Sequence, residues 1–272
     1  MIARIFYNQR CRLVTQIFAA VTACVIGAVS GGVSAQPLGS CTAPVYLTLD
    51  TGGMQSAELI AQILQKHQVR ATFFLANEKT YRGDFALDDS WKSFWQSRVS
   101  EGHAFGSHTW RHGRILADAA GQIRYRPEFG EDSGRIVQMS AAMFCEELNR
   151  VGQQFERLTG RGLDPIWRAP GGITTPQSVR AAAACGLEHI HWSAAGFLGD
   201  ELPSDRYPNR RLLDNALRDI RAGDILMAHL GIWSRRDPYA PMLDPLIAGL
   251  KARGLCFDVL PQATRTRQRV VR

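Results

Sequence analysis

The chain has 272 residues, and 45% of them are hydrophobic, which is enough to bury the core of one large domain. Its formal net charge is +7, to which the first residues and the basic tail from Arg265 to Arg272 contribute. We interpret that tail as a solvated end, with attraction to anionic envelope polymers as the alternative. Basic and aromatic residues do not interleave along a face, which argues against nucleic-acid recognition.

The first 35 residues have the pattern of a secretory signal segment. Arginines near the start precede an apolar run from Ile17 to Val29, and Val33-Ser34-Ala35 fits a signal-peptidase site. We therefore expect residues 1–35 to be cleaved and the protein to be periplasmic or secreted, without stable membrane insertion. An uncleaved anchor is the alternative, but the apolar run is short for a span of ~20 residues.

Alternating strand and helix patterns follow. Residues 45–49 are apolar or β-branched, which predicts a buried strand that ends at Asp50, and residues 59–64 have helical spacing before a second apolar strand at 71–75. The alternation continues with strands at 102–106, 223–229 and 255–260 and helices at 143–158, 178–185 and 242–251. Repeated βα units predict a parallel sheet covered by helices, either open or closed into a barrel. Residues 81–97 and 113–134 break this rhythm, and we expect loops there.

The sharpest chemical signal is a pair of histidines, His108 and His112, four residues apart after the third strand. We expect them on the same side of a helical turn, where two imidazoles suit a divalent metal of the zinc type. The alternative is a loop in which histidines serve packing and capping.

Three more candidates stand near strand ends. Asp50 could be a general base, a metal ligand or a turn former; Arg168 precedes the rigid bend Pro170-Gly171-Gly172; and His229 ends a strand. Each signal is weak alone. The carboxyl ends of parallel strands are where α/β proteins place their sites, so the shared position favours one common site.

The order of these motifs resembles the polysaccharide deacetylase family (NodB homology, carbohydrate esterase family 4). The resemblance rests on Leu47-Thr-Leu-Asp50-Thr51-Gly52, residues 71–75, Gly102 to His112, Arg168-Ala-Pro-Gly171 and Ile225 to His229. It implies an α/β fold, a distorted (β/α) barrel with fewer than eight strands. We expect this domain at 45–262, after a short segment at 36–44 and before a tail at 263–272.

The resemblance also implies a role for each candidate in hydrolysis of N-acetyl groups on a cell-wall or secreted glycan. Asp50 would be the base, and His108 and His112 would hold a divalent ion, usually zinc. His229 would be the acid and Arg168 would orient Asp50. Pro170, Gly171 and Trp192 would contact substrate, with the Gly171 N–H holding the oxyanion, although Trp192 as a core aromatic is an equal alternative.

The chain departs from the family pattern at two points. Thr51 stands where the family has a metal-binding aspartate, so we expect weaker metal affinity. Two imidazoles with extra water could hold the ion, or another carboxylate could replace the aspartate, with Glu78 as the nearest candidate by topology. The aspartates that usually partner the Arg and the acid His are also missing around Trp192, where Asp200 is a candidate substitute. Two alternatives therefore stay open: a hydrolase of a non-sugar amide bond, and a catalytically silent glycan-binding protein.

Four cysteines remain after loss of the signal segment, and none has zinc-finger spacing. Four cysteines allow three pairings. The first and last strands of a closed barrel are neighbours, which favours a Cys41–Cys256 bridge. An oxidising compartment would permit two bridges. Cys145 and Cys185 lie in helix-like segments, where two buried thiols are the alternative to a second bridge.

Overall fold

The computed structural model describes residues 41–260, so the predicted signal segment and basic tail lie outside the described residues. The described strands are β1 (Pro44–Asp50), β2 (Thr72–Leu75), β3 (Ala104–Ser107), β4 (Arg114–Ala119), β5 (Gln122–Arg126), β6 (Val137–Met139), β7 (Ile166–Trp167), β8 (Glu188–His189), β9 (Ile225–His229) and β10 (Cys256–Phe257). The described α-helices are α1 (Ala57–His67), α2 (Lys92–Ser100), α3 (Ala141–Thr159), α4 (Pro176–Ala184), α5 (Asn209–Asp219) and α6 (Leu243–Ala252).

Seven parallel strands form the main sheet, in the order β10-β1-β2-β3-β7-β8 with β9 also paired to β1. β1 is buried from Val45 to Asp50, which explains why its sequence is an almost continuous apolar run. Beyond β8 the chain returns to β9, where the amides of Ser193 and Leu198 donate to Ile225 and Met227. The sheet thus curls into a distorted (β/α) barrel with fewer than eight strands, as predicted.

Helices cover the sheet through apolar faces. α1 buries Ile60, Ile63 and Leu64, at the spacing that predicted it. α3 is the longest helix; its first turn is capped by the Ser140 side chain, which accepts from the Met143 amide, and it ends at Gly160 with φ of 75°. None of the helices between residues 41 and 260 is long and apolar enough to cross a membrane.

The two stretches predicted as loops contain regular structure, so that prediction was wrong. Residues 113–134 include β4 and β5, which join β6 in a three-stranded antiparallel sheet. Ile115, Ile123 and Tyr125 are buried with α3 residues, and their burial stabilises this small sheet. Residues 81–97 include a 3-10 turn, Asp89–Trp91, and most of α2. Trp91 and Trp95 are fully buried there, although the surrounding polar residues hid the pattern.

Two disulfides join distant parts of the described chain. Cys41–Cys256 links the segment before β1 to β10, which confirms the predicted pairing. Cys145 and Cys185 also form a disulfide, so the second bridge is present and the alternative of buried thiols is wrong. α3 and α4 pack side by side and bring the two Cα atoms to 6.0 Å, a normal separation for a bridge.

Candidate catalytic and metal site

Four of the predicted site residues meet at the carboxyl edge of the parallel sheet. Asp50 and His229 are the last residues of β1 and β9 and are register partners across the two strands. His108 follows β3 directly, and Arg168 follows β7. Since parallel strands end at the same edge, residues far apart in sequence converge here.

Asp50 and Arg168 form a buried ion pair. Arg168 is fully buried, and its Nη1 lies 2.8 Å from Asp50 Oδ1 and 2.8 Å from the Thr48 hydroxyl. Its Nε donates to the Ile190 carbonyl. Burial alone would raise the pKa of Asp50, but the charges of Arg168 and of nearby histidines outweigh burial and lower the pKa below its ordinary value. The carboxylate is therefore ionised at neutral pH.

His229 has a carboxylate partner of its own. Its Nδ1 lies 3.0 Å from Asp200 Oδ1, and its backbone amide donates to Asp200 Oδ2 at 2.7 Å. Burial alone would lower the pKa of His229, but Asp200 outweighs it and the pKa rises to about 9. The structure thus places Asp200 where the sequence could not, and His229 carries a proton that it can donate.

The two histidines of the predicted metal pair lie close together, with ring centroids 5.0 Å apart and ring planes tilted by 56°. The segment between them is a turn rather than the helical turn predicted, because Thr109 and His112 have φ of 64° and 47°. Gly113, which follows, donates to the Tyr125 hydroxyl and packs against that ring. This contact with the small sheet turns the chain away from a helical path.

Each of these imidazoles uses Nδ1 for a protein hydrogen bond. His108 Nδ1 donates to the Arg168 carbonyl at 2.9 Å, and His112 Nδ1 lies 2.7 Å from Glu128 Oε2. Burial lowers the pKa of His108 to about 4, so its Nε2 has a free electron pair, which lies 3.5 Å from Asp50 Oδ2. An imidazole oriented through Nδ1, with Nε2 free, is the usual arrangement of a metal ligand.

Glu78 occupies the space beside His112. Its Oε1 accepts hydrogen bonds from the Thr51 hydroxyl and from the Gly52 amide, and its Oε2 lies 3.8 Å from His112 Nδ1. Among residues 41–260 no group of three His, Cys, Asp or Glu side chains is already assembled as a metal site. The two histidines nonetheless fit a divalent ion, because each ring is held through Nδ1 and its Nε2 forms no hydrogen bond with the described residues.

The predicted substrate-contact residues lie around Arg168. Pro170–Gly172 forms a short turn after β7, in which Gly171 has φ of 65°. Trp192 is half-buried, and its ring centroid is 5.6 Å from the Arg168 guanidinium carbon. Trp233 was not among the predicted site residues. It is 58% exposed and lines a cavity of about 150 Å³ together with Asp200 and His229. Its position four residues after His229, at the end of a strand, was the sequence feature that could have indicated a place near the site.

Comparison with known proteins decides the family. The family model described as polysaccharide deacetylase matches residues 40–190. The chain belongs to the polysaccharide deacetylase family. A chitooligosaccharide deacetylase of Azorhizobium caulinodans is 27% identical over 230 residues, which cover 80% of this chain and 92% of that protein.

Solved structures share the fold of this polysaccharide deacetylase family member. A peptidoglycan N-acetylglucosamine deacetylase has a TM-score of 0.62 at 22% identity, covering 81% of this chain and 87% of that one. A carbohydrate esterase family 4 pseudoenzyme from Bacillus anthracis has a TM-score of 0.59 at 21% identity, covering 81% and 65%. The predicted family, fold and enzyme class, hydrolases of carbon–nitrogen bonds, are confirmed. The roles of the individual site residues stay predictions.

Proposed function

We propose that this protein removes acetyl groups from an N-acetylated glycan, with Asp50 as the general base and His229 as the general acid. The observation that carries the proposal is the register pair Asp50 and His229 at the ends of β1 and β9. One is an ionised carboxylate held by Arg168, and the other is a protonated imidazole held by Asp200. Opposite protonation states at neighbouring strand ends are what acid–base catalysis requires.

The side chains divide the reaction between them. A divalent ion held by His108 and His112, for which we propose zinc, would supply a Lewis acid for the acetamide carbonyl. Asp50 accepts a proton from the attacking water, and Arg168 keeps the carboxylate oriented through the 2.8 Å ion pair. The Gly171 amide, in the turn after β7, is our candidate donor to the oxyanion. His229 then gives its proton to the leaving amine and returns to the neutral state.

A glycan is the substrate class that the surroundings of the site favour. The ring of Trp233 is exposed beside His229, and exposed tryptophan suits stacking against sugar faces. The relative from Azorhizobium caulinodans is named for chitooligosaccharides, and one structural neighbour is named for peptidoglycan. A small non-sugar amide is the alternative substrate, and assays of acetate release from each substrate class distinguish the two.

We further propose that the protein works outside the cytoplasm, in the periplasm or as a secreted protein. The two disulfides of the described region support this location, because such bridges persist in oxidising compartments. The signal pattern of residues 1–35 supports it too. Determination of the amino-terminal residue after expression in a bacterial host should give Gln36, and an intact Met1 in the exported protein would contradict cleavage.

Release of acetate from chitooligosaccharides, peptidoglycan and a small N-acetylated amine tests the function. We expect zinc-stimulated release from a glycan and a loss of about 10²- to 10⁴-fold in Asp50→Asn, because the general base is gone. Asp214→Asn, at a half-exposed position on α5, is the matched control and should behave as wild type. Glycan binding without acetate release would favour the silent homologue, and release from the small amine alone would favour the non-sugar hydrolase.

A further inference from the structure

Glu78 is a buried carboxylate that has a histidine, and no lysine or arginine, as its basic neighbour among residues 41–260. The residue is 5% exposed, and within residues 41–260 neither a lysine nor an arginine pairs with it. Its Oε1 accepts from the Thr51 hydroxyl and the Gly52 amide, whereas its Oε2 accepts no hydrogen bond from the described residues. A buried anion is costly unless a cation or donors compensate it. One oxygen is satisfied, and the other is left for a cation.

The free oxygen points toward the histidine pair. Glu78 Oε2 lies 3.8 Å from Nδ1 of His112, whose ring centroid is 5.0 Å from that of His108. His112 would bind an ion through Nε2, because its Nδ1 lies 2.7 Å from Glu128 Oε2, so the 3.8 Å distance measures the approach of the Glu78 carboxylate to the ring and not the separation of two ligand atoms. Rotation of the Glu78 side chain from the Nδ1 side of the ring toward Nε2 would bring the oxygen to a ligand position.

We propose that Glu78 supplies the third protein ligand of the divalent ion, and that Thr51 is a positioning residue that holds the Glu78 carboxylate through its other oxygen. Two imidazoles and one carboxylate with an open position form a common catalytic zinc set. The Thr51 hydroxyl itself accepts from the Ala76 amide and donates to Glu78, so both its hydrogen-bonding roles are used within the protein. This inference rests on one part of the proposed function, the binding of a divalent ion by His108 and His112, and does not depend on the proposed reaction.

A purely structural role for Glu78 is the competing explanation, in which it would orient His112. That role is already filled, because Glu128 Oε2 lies 2.7 Å from His112 Nδ1, much closer than Glu78. Glu128 therefore provides a matched control: its removal perturbs the orientation of His112, and removal of Glu78 would perturb coordination.

Cobalt(II) titration of metal-free protein, followed by visible absorption, measures coordination without turnover. We expect Glu128→Gln to weaken cobalt binding about 10- to 100-fold, as loss of a partner that orients a ligand does. Glu78→Gln should weaken it more and change the intensity of the cobalt bands. Thr51→Ser should bind as wild type, and Thr51→Val, which cannot hold the carboxylate, should bind more weakly. Circular dichroism checks that each variant is folded.

Thr51→Asp in the Glu78→Gln background is the decisive rescue. The aspartate introduced at position 51 would present a carboxylate at the same place, and the glutamine amide introduced at position 78 could donate to it. Cobalt affinity should therefore recover toward the wild-type value. Unchanged affinity in Glu78→Gln, absence of rescue, or a wild-type protein that takes up no cobalt would each overturn the proposal. Wild type that binds cobalt through Glu78 but releases no acetate would overturn only the proposed function, and Asp50→Asn should still bind cobalt.

Discussion

Replacing Asp200 with Asn should lower the pKa of His229. In the folded protein burial favours the neutral imidazole, but the Asp200 carboxylate at 3.0 Å from Nδ1 raises the pKa from 6.5 to about 9. A tenfold change in proton affinity corresponds to about 1.4 kcal/mol, so the raised pKa represents roughly 3 kcal/mol of stabilisation of the imidazolium. Asn removes the charge but keeps a side chain of the same size, so burial should then dominate and bring the pKa down toward or below its ordinary value.

The upward direction of the pKa shift of His229 also determines how activity and stability should depend on pH. His229 acts as an acid only when protonated, so the alkaline limb of kcat/KM should move to lower pH in Asp200→Asn. Because the folded-state pKa is raised, the interaction stabilises the wild-type fold fully below pH 6.5, and this stabilisation is lost as pH rises toward 9. The difference in unfolding free energy between wild type and variant should therefore shrink over that range.

Proton NMR titration of the His229 ring in metal-free protein measures this pKa directly. Glu201→Gln is the control, because Glu201 is half-exposed and its Oε2 lies 3.8 Å from His229 Nε2, where solvent screens the interaction. We expect a small downward change for the control and a large one for Asp200→Asn. Equal midpoints in wild type and Asp200→Asn would refute the assignment of Asp200 as the partner that keeps His229 protonated.

Two further changes test the buried pair and the turn beneath it. Arg168→Met should raise the pKa of Asp50 and shift the acid limb of kcat/KM to higher pH, because the buried carboxylate loses its partner. For the same reason the unfolding free energy measured in urea should fall by about 3 to 5 kcal/mol. A variant as stable as wild type would contradict this. Gly52→Ala should lower the melting temperature in calorimetry, because Gly52 has φ of 58° and a Cβ would lie 2.2 Å from the Gly231 carbonyl oxygen. Gly162→Ala, which has open space, should be close to neutral, and equal losses in both would contradict the packing argument.

The sheet and the convergence of the site were predictable for a shared reason. Buried parallel strands have short, continuous apolar sequences, and the residue at the end of each such sequence lies at the carboxyl edge of the sheet. Asp50 and His229 end such runs and His108 follows one, so the meeting of these three needed no knowledge of loop structure. β7, which precedes Arg168, and β8 have only two residues each and are too short to show a periodic pattern, so neither strand was predicted.

The small antiparallel sheet was not predicted because the apolar residues that stabilise it belong to segments far apart in the sequence. Ile115, Ile123 and Tyr125 are spaced by polar and charged residues, and their burial depends on α3 residues such as Phe144. The Cys145–Cys185 bridge likewise depends on how α3 and α4 pack. Neither the burial nor the pairing is encoded within a window of neighbouring residues, so local patterns could not show them.

The two departures from the family pattern have a common physical explanation in the fold. Thr51 and the segment after Trp192 lack carboxylates, yet Glu78 and Asp200 bring carboxylate oxygens within 3.8 Å of His112 and 3.0 Å of His229. Both replacements lie on connections beyond strand ends, where a side chain can reach the site without altering the register of the sheet. A carboxylate can therefore reach the site from more than one loop, so its presence there does not depend on one position in the sequence.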